Sequence, residues 1–555
     1  MGFGFLKQTP TSLQSSMGSS RLPGGEQPLS ACEAESPRAR GKLASAIALA
    51  RERFSECLER LMDEVPIEPG DLMELEKRLH QTVAQECLDP VVAALIQDLH
   101  EEQEVRLRAT ALEICRPHLS SQKTNQKVTV TLLGGSKQEL STRYCLARPP
   151  KKKRRGRPRK KKVRQKSRDS GLYPFLEVLG IRFRVSLAVA SEVARFVATG
   201  TIAQAVDSLS RRGICLGKKA VDRIARSVAQ RGLEYRDWVE EQTRAGFRGK
   251  SAKGLRLAIG ADGGRTRLRY PKKRGRPRKS GRRSYDGEWK EPKVLVVYEL
   301  DARGRKKRGG LCRYDASMLR CDEFFDLLAA VLRQIGANEA KEWVILGDGA
   351  DWIWNRVPKL VEALDFDENK VTQVVDFYHT VQRLHKIADE RNDWKKSDKN
   401  QWVAKMKKLL RKDKVEEVIA EKSMFKGRGA RARRDLFNYF VDRADKMRYG
   451  TFRKRGIPLG SGAVESCVRR VINLRLKGNG IFWLPESAEA VLHIRSQLLC
   501  GRWDEFITEI SVPKELWSLT SSDPYKPNRD AALARLERRR RLLTTKAQKS
   551  MPQAA

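Results

Sequence analysis

The stretch LRLAIGADGG (255–264) decides the fold, together with its counterpart EWVILGDGADW (342–352). Each begins with a short apolar run and continues into an aspartate followed by glycine, a pattern typical of a buried strand leading into a turn. Asp262 ends the first run and Asp348 ends the second. If these two strands are neighbours in one sheet, both carboxylates emerge side by side at its edge.

Further strands and helices are predicted around these two runs. The segment 265–270 should form a hairpin with 255–262 around Gly263 and Gly264, and 293–301 is a third strand. The elements that follow are a helix at 321–337, a strand at 342–348, a mostly helical stretch at 351–364, a strand at 370–377 and a helix at 461–477 with Ser461 as N-cap. Three strands, helix, strand, helix, strand and a late helix is the order of a ribonuclease H-like α/β domain.

A third acidic residue, Glu465, lies in the first turn of the helix at 461–477, where the helix dipole favours a carboxylate. Taken singly, such residues are often turn formers or dipole partners. Three carboxylates at one edge, however, would repel one another unless cations lay between them. Two Mg²⁺ or Mn²⁺ ions roughly 3.5–4 Å apart are the usual solution for phosphodiester chemistry. Asp262, Asp348 and Glu465 are therefore the predicted catalytic and metal-ligating residues.

The composition indicates a polyanionic partner. Lysine and arginine number 112 against 69 aspartates and glutamates, a formal net charge of +43. No stretch approaches the ~20 apolar residues of a membrane-spanning helix, and the N-terminus lacks a secretory signal. Ten scattered cysteines without a CxxC pair suit a reduced compartment. We expect a cytoplasmic protein associated with the nucleoid and without a membrane partner, although charge alone would also suit a ribosome-bound factor.

Two short basic segments are similar to AT-hooks, in which an Arg-Gly-Arg-Pro core lies in the narrow minor groove of A·T-rich DNA. Both occur in stretches too charged to pack into a core. The predicted minor-groove residues are Arg155, Gly156, Arg157 and Pro158 in the first copy, and Arg274, Gly275, Arg276 and Pro277 in the second.

A helical pair predicts a further DNA contact. The segments 201–213 and 216–232 form two short amphipathic helices around a glycine turn, which is compatible with a helix-turn-helix and equally with an ordinary helical domain. The basic residues of its second helix are Lys218, Lys219, Arg223 and Arg226.

The pattern changes along the chain divide it into seven regions. They are a disordered leader (1–40), an α-helical region (41–125), a strand pair with a basic linker (126–170), a helical DNA-binding domain (171–250), a catalytic α/β domain (251–390 and 456–510), a helical insertion (391–455) and a basic tail (511–555). Within the third region, 127–135 is predicted to be a strand that turns at Gly134 and Gly135.

The segments IGADGGRTRLR (259–269), LGDGADWIWN (346–355), VVDFYHTVQRLHKIA (374–388) and PLGSGAVESCVRRVINLRLK (458–477) resemble bacterial insertion-sequence transposases of the ISKra type. These enzymes belong to the DDE superfamily and are distantly related to Mutator-like elements. The resemblance covers roughly 170–506. It implies Asp262, Asp348 and Glu465 as the catalytic triad, with Asp376 and His379 as an accessory element that orients the DNA or the active site. Cysteine pairs resembling a zinc ribbon are common in this family, but Cys115 and Cys145 stand alone here.

The resemblance therefore implies a DNA transposase that uses two divalent metal ions to cut and join DNA. Its partners would be double-stranded DNA, as transposon ends and target, and further copies of itself in a homo-oligomer on DNA. Two alternatives stay open at this point: a nuclease that only hydrolyses DNA, and a non-catalytic AT-hook protein derived from a transposase.

Overall fold

The computed structural model describes residues 41–62, 68–116, 119–147, 171–272, 284–424, 426 and 434–519. The predicted leader at 1–40, both Arg-Gly-Arg-Pro segments and the tail beyond 519 lie outside these residues. The predictions for those segments are therefore not tested by the fold.

The N-terminal region combines four helices with a β-hairpin. The helices are α1 (Gly41–Met62), α2 (Pro69–Thr82), α3 (Asp89–Asp98) and α4 (Gln103–Cys115), with a π-helical segment, Val83–Leu88, joining α2 to α3. β1 (Leu119–Thr131) pairs antiparallel with β2 (Lys137–Ala147). The turn includes Gly135 at a φ of 96°, a conformation that favours glycine. The predicted strand and glycine turn are confirmed, but β1 begins at Leu119, inside the range expected to be helical.

Four helices follow: α5 (Pro174–Val178), α6 (Leu187–Thr199), α7 (Ile202–Ser210) and α8 (Lys218–Arg244). The predicted pair corresponds to α7 and α8, but α8 is one helix of 27 residues and not a short one. Gly232 lies inside this helix, and its missing side chain leaves room for the neighbouring Phe506 and His493. A Cβ at Gly232 would lie 2.7 Å from the Phe506 ring.

A five-stranded mixed sheet forms the core of the C-terminal half. In chain order its strands are β3 (Arg256–Gly263), β6 (Lys293–Glu299), β7 (Cys312–Ser317), β8 (Glu342–Gly347) and β9 (Val371–Val375). In space they lie in the order β7-β6-β3-β8-β9. β6 is antiparallel to both β3 and β7, whereas the β3–β8 and β8–β9 pairs are parallel. The described part of the chain is therefore mixed α/β.

The hairpin predicted between 255–262 and 265–270 is wrong. β4 (Thr266–Pro271) leaves the sheet and pairs with β5 (Tyr285–Lys290) in a separate two-stranded arm, hereafter the β4–β5 arm. β6 pairs with β3 instead. All seven residues of β6 are buried, as a strand in the middle of the sheet requires, whereas every residue of β5 is exposed. The second Arg-Gly-Arg-Pro segment thus lies in the β4–β5 connection. The third sheet strand is β7, which the sequence pattern did not reveal.

Helices cover the sheet and build the insertion. Those before the insertion are α9 (Cys321–Ile335), α10 (Asp351–Trp354), α11 (Val357–Ala363) and α12 (Phe377–Asp389). The insertion carries α13 (Lys396–Leu410), α14 (Val415–Ala420), α15 (Asn438–Val441) and α16 (Tyr449–Lys454). After it come α17 (Gly462–Cys467), a π-helical segment (Val468–Asn473), α18 (Leu474–Leu476), α19 (Pro485–Leu499) and α20 (Trp503–Ser511). Trp402, Phe440 and Tyr449 share one hydrophobic core with the sheet, so the insertion packs directly against it.

Candidate active site

Asp262 and Asp348 lie at the same end of two neighbouring parallel strands. Gly260 of β3 is opposite Leu346 of β8, and each aspartate comes two residues later. The Asp262 carboxylate accepts a hydrogen bond from the N–H of Gly263 at 2.7 Å. The Asp348 carboxylate accepts one from the N–H of Ala350 at 2.9 Å. The predicted neighbourhood of the two strands is confirmed, and it places both carboxylates at one edge of the sheet.

Glu465 is brought to this edge by the helix that follows the insertion. α17 packs against β3 at Gly260, where an added Cβ would lie only 2.3 Å from Cγ2 of the buried Val464. A glycine inside a strand often marks such a close approach, which is the signal by which the sequence could have predicted this contact. Glu465, next to Val464, is in the first turn of α17 and its side chain stays half exposed.

Asp376 and His379 connect β9 to α17. The buried Asp376 carboxylate caps α12 by accepting hydrogen bonds from the N–H groups of Tyr378 at 2.6 Å and His379 at 3.0 Å. It also accepts from Ser461, through the backbone N–H and through the hydroxyl at 2.6 Å. His379 Nε2 lies 3.3 Å from Oε1 of Glu465. The pair predicted as accessory thus fixes the start of the helix that carries Glu465 and touches Glu465 itself.

Ser461 occupies the N-cap position of α17, as predicted, but its side chain makes no capping hydrogen bond. The hydroxyl donates to Asp376 instead. The expected local cap is therefore wrong in its chemistry, because a buried carboxylate from β9 competes for the same hydroxyl.

The electrostatics of the site are those of uncompensated negative charge. The pKa of Asp262 is raised to about 6: burial is the main cause, and the neighbouring Asp348 and Glu465 contribute in the same direction, against the lowering effects of the Gly263 N–H and of His379. These interactions show that the three carboxylates and His379 share one electrostatic environment. A cation at this edge would relieve both the burial and the repulsion.

The insertion contributes a contact that the sequence analysis missed. The Tyr439 hydroxyl donates to the backbone carbonyl of Asp348 at 3.2 Å. Gly349, at a φ of 90°, lies beneath the Tyr439 ring, and a Cβ there would be 2.6 Å from it. The guanidinium groups of Arg383 and Arg443 lie 4.8 and 5.0 Å from the centre of the same ring. No spacing in the sequence signals this contact, because Tyr439 follows Asp348 by 91 residues.

The donor chemistry suits hard cations, which prefer oxygen ligands. Within the described ranges, no group of three or more His, Cys, Asp or Glu side chains is placed to hold a metal ion as the side chains stand. Asp262, Asp348 and Glu465 are nevertheless the residues that could hold one together. Glu465 has the most freedom to turn toward the aspartates, since its side chain is half exposed and, within the described residues, is held by one hydrogen bond, to His379 at 3.3 Å.

The basic residues predicted on the second helix of the pair lie in the first three turns of α8. Lys218, Lys219, Arg223 and Arg226 are all exposed. Arg223 lies over the exposed Phe183 ring at 5.1 Å, and Arg226 forms an ion pair with Asp222 at 2.8 Å. Three of these four side chains therefore have no acidic partner among the residues that the structure describes.

A scan against protein-family models found no matching family, and a search of curated proteins found no significant relative. Among the described helices, none is both long and apolar enough to cross a membrane.

Proposed function

We propose that the chain is a DNA transposase that cuts and joins DNA phosphodiesters at Asp262, Asp348 and Glu465. The observation that carries this proposal is the convergence of the three carboxylates on one end of the sheet, although they are separated by up to 203 residues. A mixed sheet in which the first and fourth strands are parallel neighbours also fits the ribonuclease H-like domain that we propose here.

The residues of the site would divide the work as follows. Asp262 and Asp348 are held by backbone hydrogen bonds at the ends of their strands, so they form the fixed part of the site. Glu465 completes it from α17, and His379 orients the Glu465 carboxylate. Bound Mg²⁺ or Mn²⁺ ions would supply an activated water or 3′-hydroxyl and stabilise the leaving oxygen. Asp376 acts as a positioning residue, because it ties α12 to the start of α17.

DNA is the proposed partner because the net positive charge of the chain and the exposed basic residues of α8 both favour binding to a polyanion. The net charge of +43 favours phosphate contacts, and the first three turns of α8 present four exposed basic residues. We propose that the enzyme works as a homo-oligomer on DNA, since two transposon ends must be handled together.

The test is metal-dependent cleavage of DNA by the full chain. Asp262→Asn, Asp348→Asn and Glu465→Gln should each reduce cleavage by about a thousandfold or more, because each removes one charged group from a preorganised electrostatic site. DNA binding should be nearly unchanged. Glu362→Gln, which replaces an exposed carboxylate on α11, is the matched control and should cut like wild type.

Normal cleavage by any one of the three variants would remove that residue from the site. Strand joining is measured in the same reaction with a target duplex. Cleavage without joining would identify a nuclease, and binding without either reaction would identify a non-catalytic DNA-binding protein.

A further inference from the structure

The β4–β5 arm begins beside the candidate active site. Asp262 pairs with Val294 near the end of β3, and the arm is the excursion between these two residues. The backbone N–H of Gly264 donates to the carbonyl of Pro292 at 2.8 Å, which closes the base of the arm. The base of the arm therefore lies next to the carboxylate edge.

One face of the arm carries a row of alternating cations and aromatic rings. Arg267 is directly opposite Trp289, so the two share a face. The guanidinium groups of Arg265 and Arg267 lie 5.5 and 5.1 Å from the centre of the Trp289 ring. Arg267 also lies 4.7 Å from the Phe482 ring, whose centre is 5.2 Å from that of Tyr285. Phe482 reaches this face over Gly287, where a Cβ would be 3.5 Å away.

The charge on this face is not neutralised. The side chains of Arg265, Arg267 and Arg269 form no hydrogen bond or ion pair with any residue in the described part of the chain. The acidic residues of the arm are engaged elsewhere: Asp286 pairs with Lys272 at 3.0 Å and Glu288 with Lys290 at 2.7 Å. Stacking on rings keeps the guanidinium planes in place and leaves their N–H edges free to donate.

The aromatic rings are unusually open. Six aromatic side chains are exposed in the described ranges, and two of them, Tyr285 and Trp289, lie on this face of the arm. Trp289 keeps 48% of its surface exposed. The arm is held in place by the opposite side of β4. There Thr266 and Leu268 are buried against the rest of the α/β region, so the aromatic face is not needed to anchor the arm.

We propose that this face of the β4–β5 arm binds an unpaired, single-stranded segment of the DNA substrate as it enters the active site. The inference rests on the proposed function in taking DNA as the substrate. Phosphates alone would need only the arginines, and the bases of a duplex are stacked on one another. Exposed rings interleaved with free guanidinium groups match a strand whose bases are unstacked, since every base then offers a π-face.

A cavity beside the arm, next to Arg269, extends this surface. It has a volume of about 300 Å³ and is lined by Arg269 of β4, by Phe482 and Trp483, which pack against the arm, and by Asp222 and Arg226 of α8. That volume is at the lower end of the range for small-ligand sites, roughly 300–1,000 Å³. A single nucleobase that leaves the row of rings could bind in this cavity, whose lining is apolar at Ile202 and Ile494 and basic at Arg226, Arg269 and Arg475.

The experiment measures binding of the full chain to a fluorescent oligothymidylate strand and to a mixed-sequence duplex of equal length, in chelator so that nothing is cut. Trp289→Ala should weaken single-strand binding by about tenfold, the order expected for the loss of one base–aromatic stack. Duplex binding should stay nearly unchanged. Trp289→Phe keeps a ring and should retain most of the single-strand affinity. Phe54→Ala, at a similarly exposed ring on α1, is the matched control.

Equal losses on both DNAs would overturn the inference, because the face would then be a duplex contact. Unchanged binding to both DNAs would also overturn it. A change in the oligomeric state of Trp289→Ala on size-exclusion chromatography would overturn it in favour of a protein occupant of this face. If wild type binds duplex and cuts it while Trp289 is irrelevant, only this inference fails. If wild type binds no DNA and cuts none, the proposed function fails with it.

Discussion

Two clusters of acidic side chains lie in the α/β region, and they differ in how their charge is balanced. The candidate active site holds Asp262, Asp348 and Glu465, with His379 beside Glu465. The second, here called the buried charge cluster, consists of Asp315, His493, Arg236 and Glu489. In it His493 Nδ1 lies 3.0 Å from Asp315, and Arg236 lies 2.7 Å from Glu489 and 3.9 Å from Asp315.

The pKa of one aspartate in each cluster records the difference. Burial alone would raise the pKa of Asp315, but the charges of His493 and Arg236 hold it below its ordinary value. The pKa of Asp262 is instead raised to about 6, mainly by burial, and the neighbouring carboxylates contribute to this rise. Asp315, whose charge is balanced, links β7 to α8 through Arg236 and to α19 through His493. Asp262, whose charge is not balanced, is available to bind a ligand.

The largest effect on stability should come from breaking the buried charge cluster. Asp315→Asn removes the charge that balances His493 and Arg236, and both would stay buried. We expect the free energy of unfolding to fall by about 3–5 kcal/mol, the usual cost of breaking a buried ion pair. Urea denaturation monitored by circular dichroism gives this value directly.

Asp262→Asn is the matched comparison, since the same substitution at the end of β3 removes a charge that has no good partner. Its free energy of unfolding in chelator should not fall, and an equal loss in the two variants would contradict the distinction between the clusters. Acid gives a further check. Because the pKa of Asp315 is lowered in the fold, its stabilisation exists above the ordinary aspartate pKa of about 3.9 and disappears as the pH falls through the lowered value. Wild type and Asp315→Asn should therefore converge in acid.

A smaller effect, on activity, should follow from displacing Glu465. Gly260→Ala would put a Cβ 2.3 Å from Cγ2 of Val464 and push α17 away from β3. We expect cleavage to drop by about a hundredfold, as for an ångström-scale misplacement of a catalytic group. Adding Val464→Ala to this variant should restore much of the activity, because it frees the space. Val464→Ala alone serves as control, and a double variant no better than Gly260→Ala would refute the steric explanation.

The smallest effect should come from the hydrogen bond between His379 and Glu465. His379→Ala should lower cleavage by about 10–100-fold and raise the Mg²⁺ concentration needed for half-maximal rate, as loss of a supporting group around a metal site does. His379→Gln can still donate a hydrogen bond and should lose less. If both variants lost activity equally and needed no more metal, His379 would act by some other route than positioning Glu465.

The sequence predicted the strands that carry Asp262 and Asp348 because apolar runs ending in Asp-Gly are locally informative. It failed where partner choice matters. β4 alternates polar and apolar residues like a sheet strand, yet it pairs with β5 in the arm, since β6 is the better buried partner for β3. β7, CRYDAS, has too mixed a composition to reveal a strand, and its burial depends on β6 and α19. The sequence pattern ends the second helix of the pair at Gly232, whereas α8 continues to Arg244. The packing of Gly232 against Phe506 is a tertiary contact that no local pattern shows.

By itself, the sequence determined the basic character of the chain, its alternation of helices and strands, and the candidate carboxylates, because these depend on composition and short-range periodicity. Only the tertiary structure decided which acidic residues are neutralised and which are not, since Asp315 and His493 are 178 residues apart and Asp262 and Asp348 meet through strand pairing. It also decided that Arg265, Arg267, Trp289 and Phe482 form one face. Charge balance and shared faces arise from contacts between distant segments, and those contacts exist only once the sheet is formed.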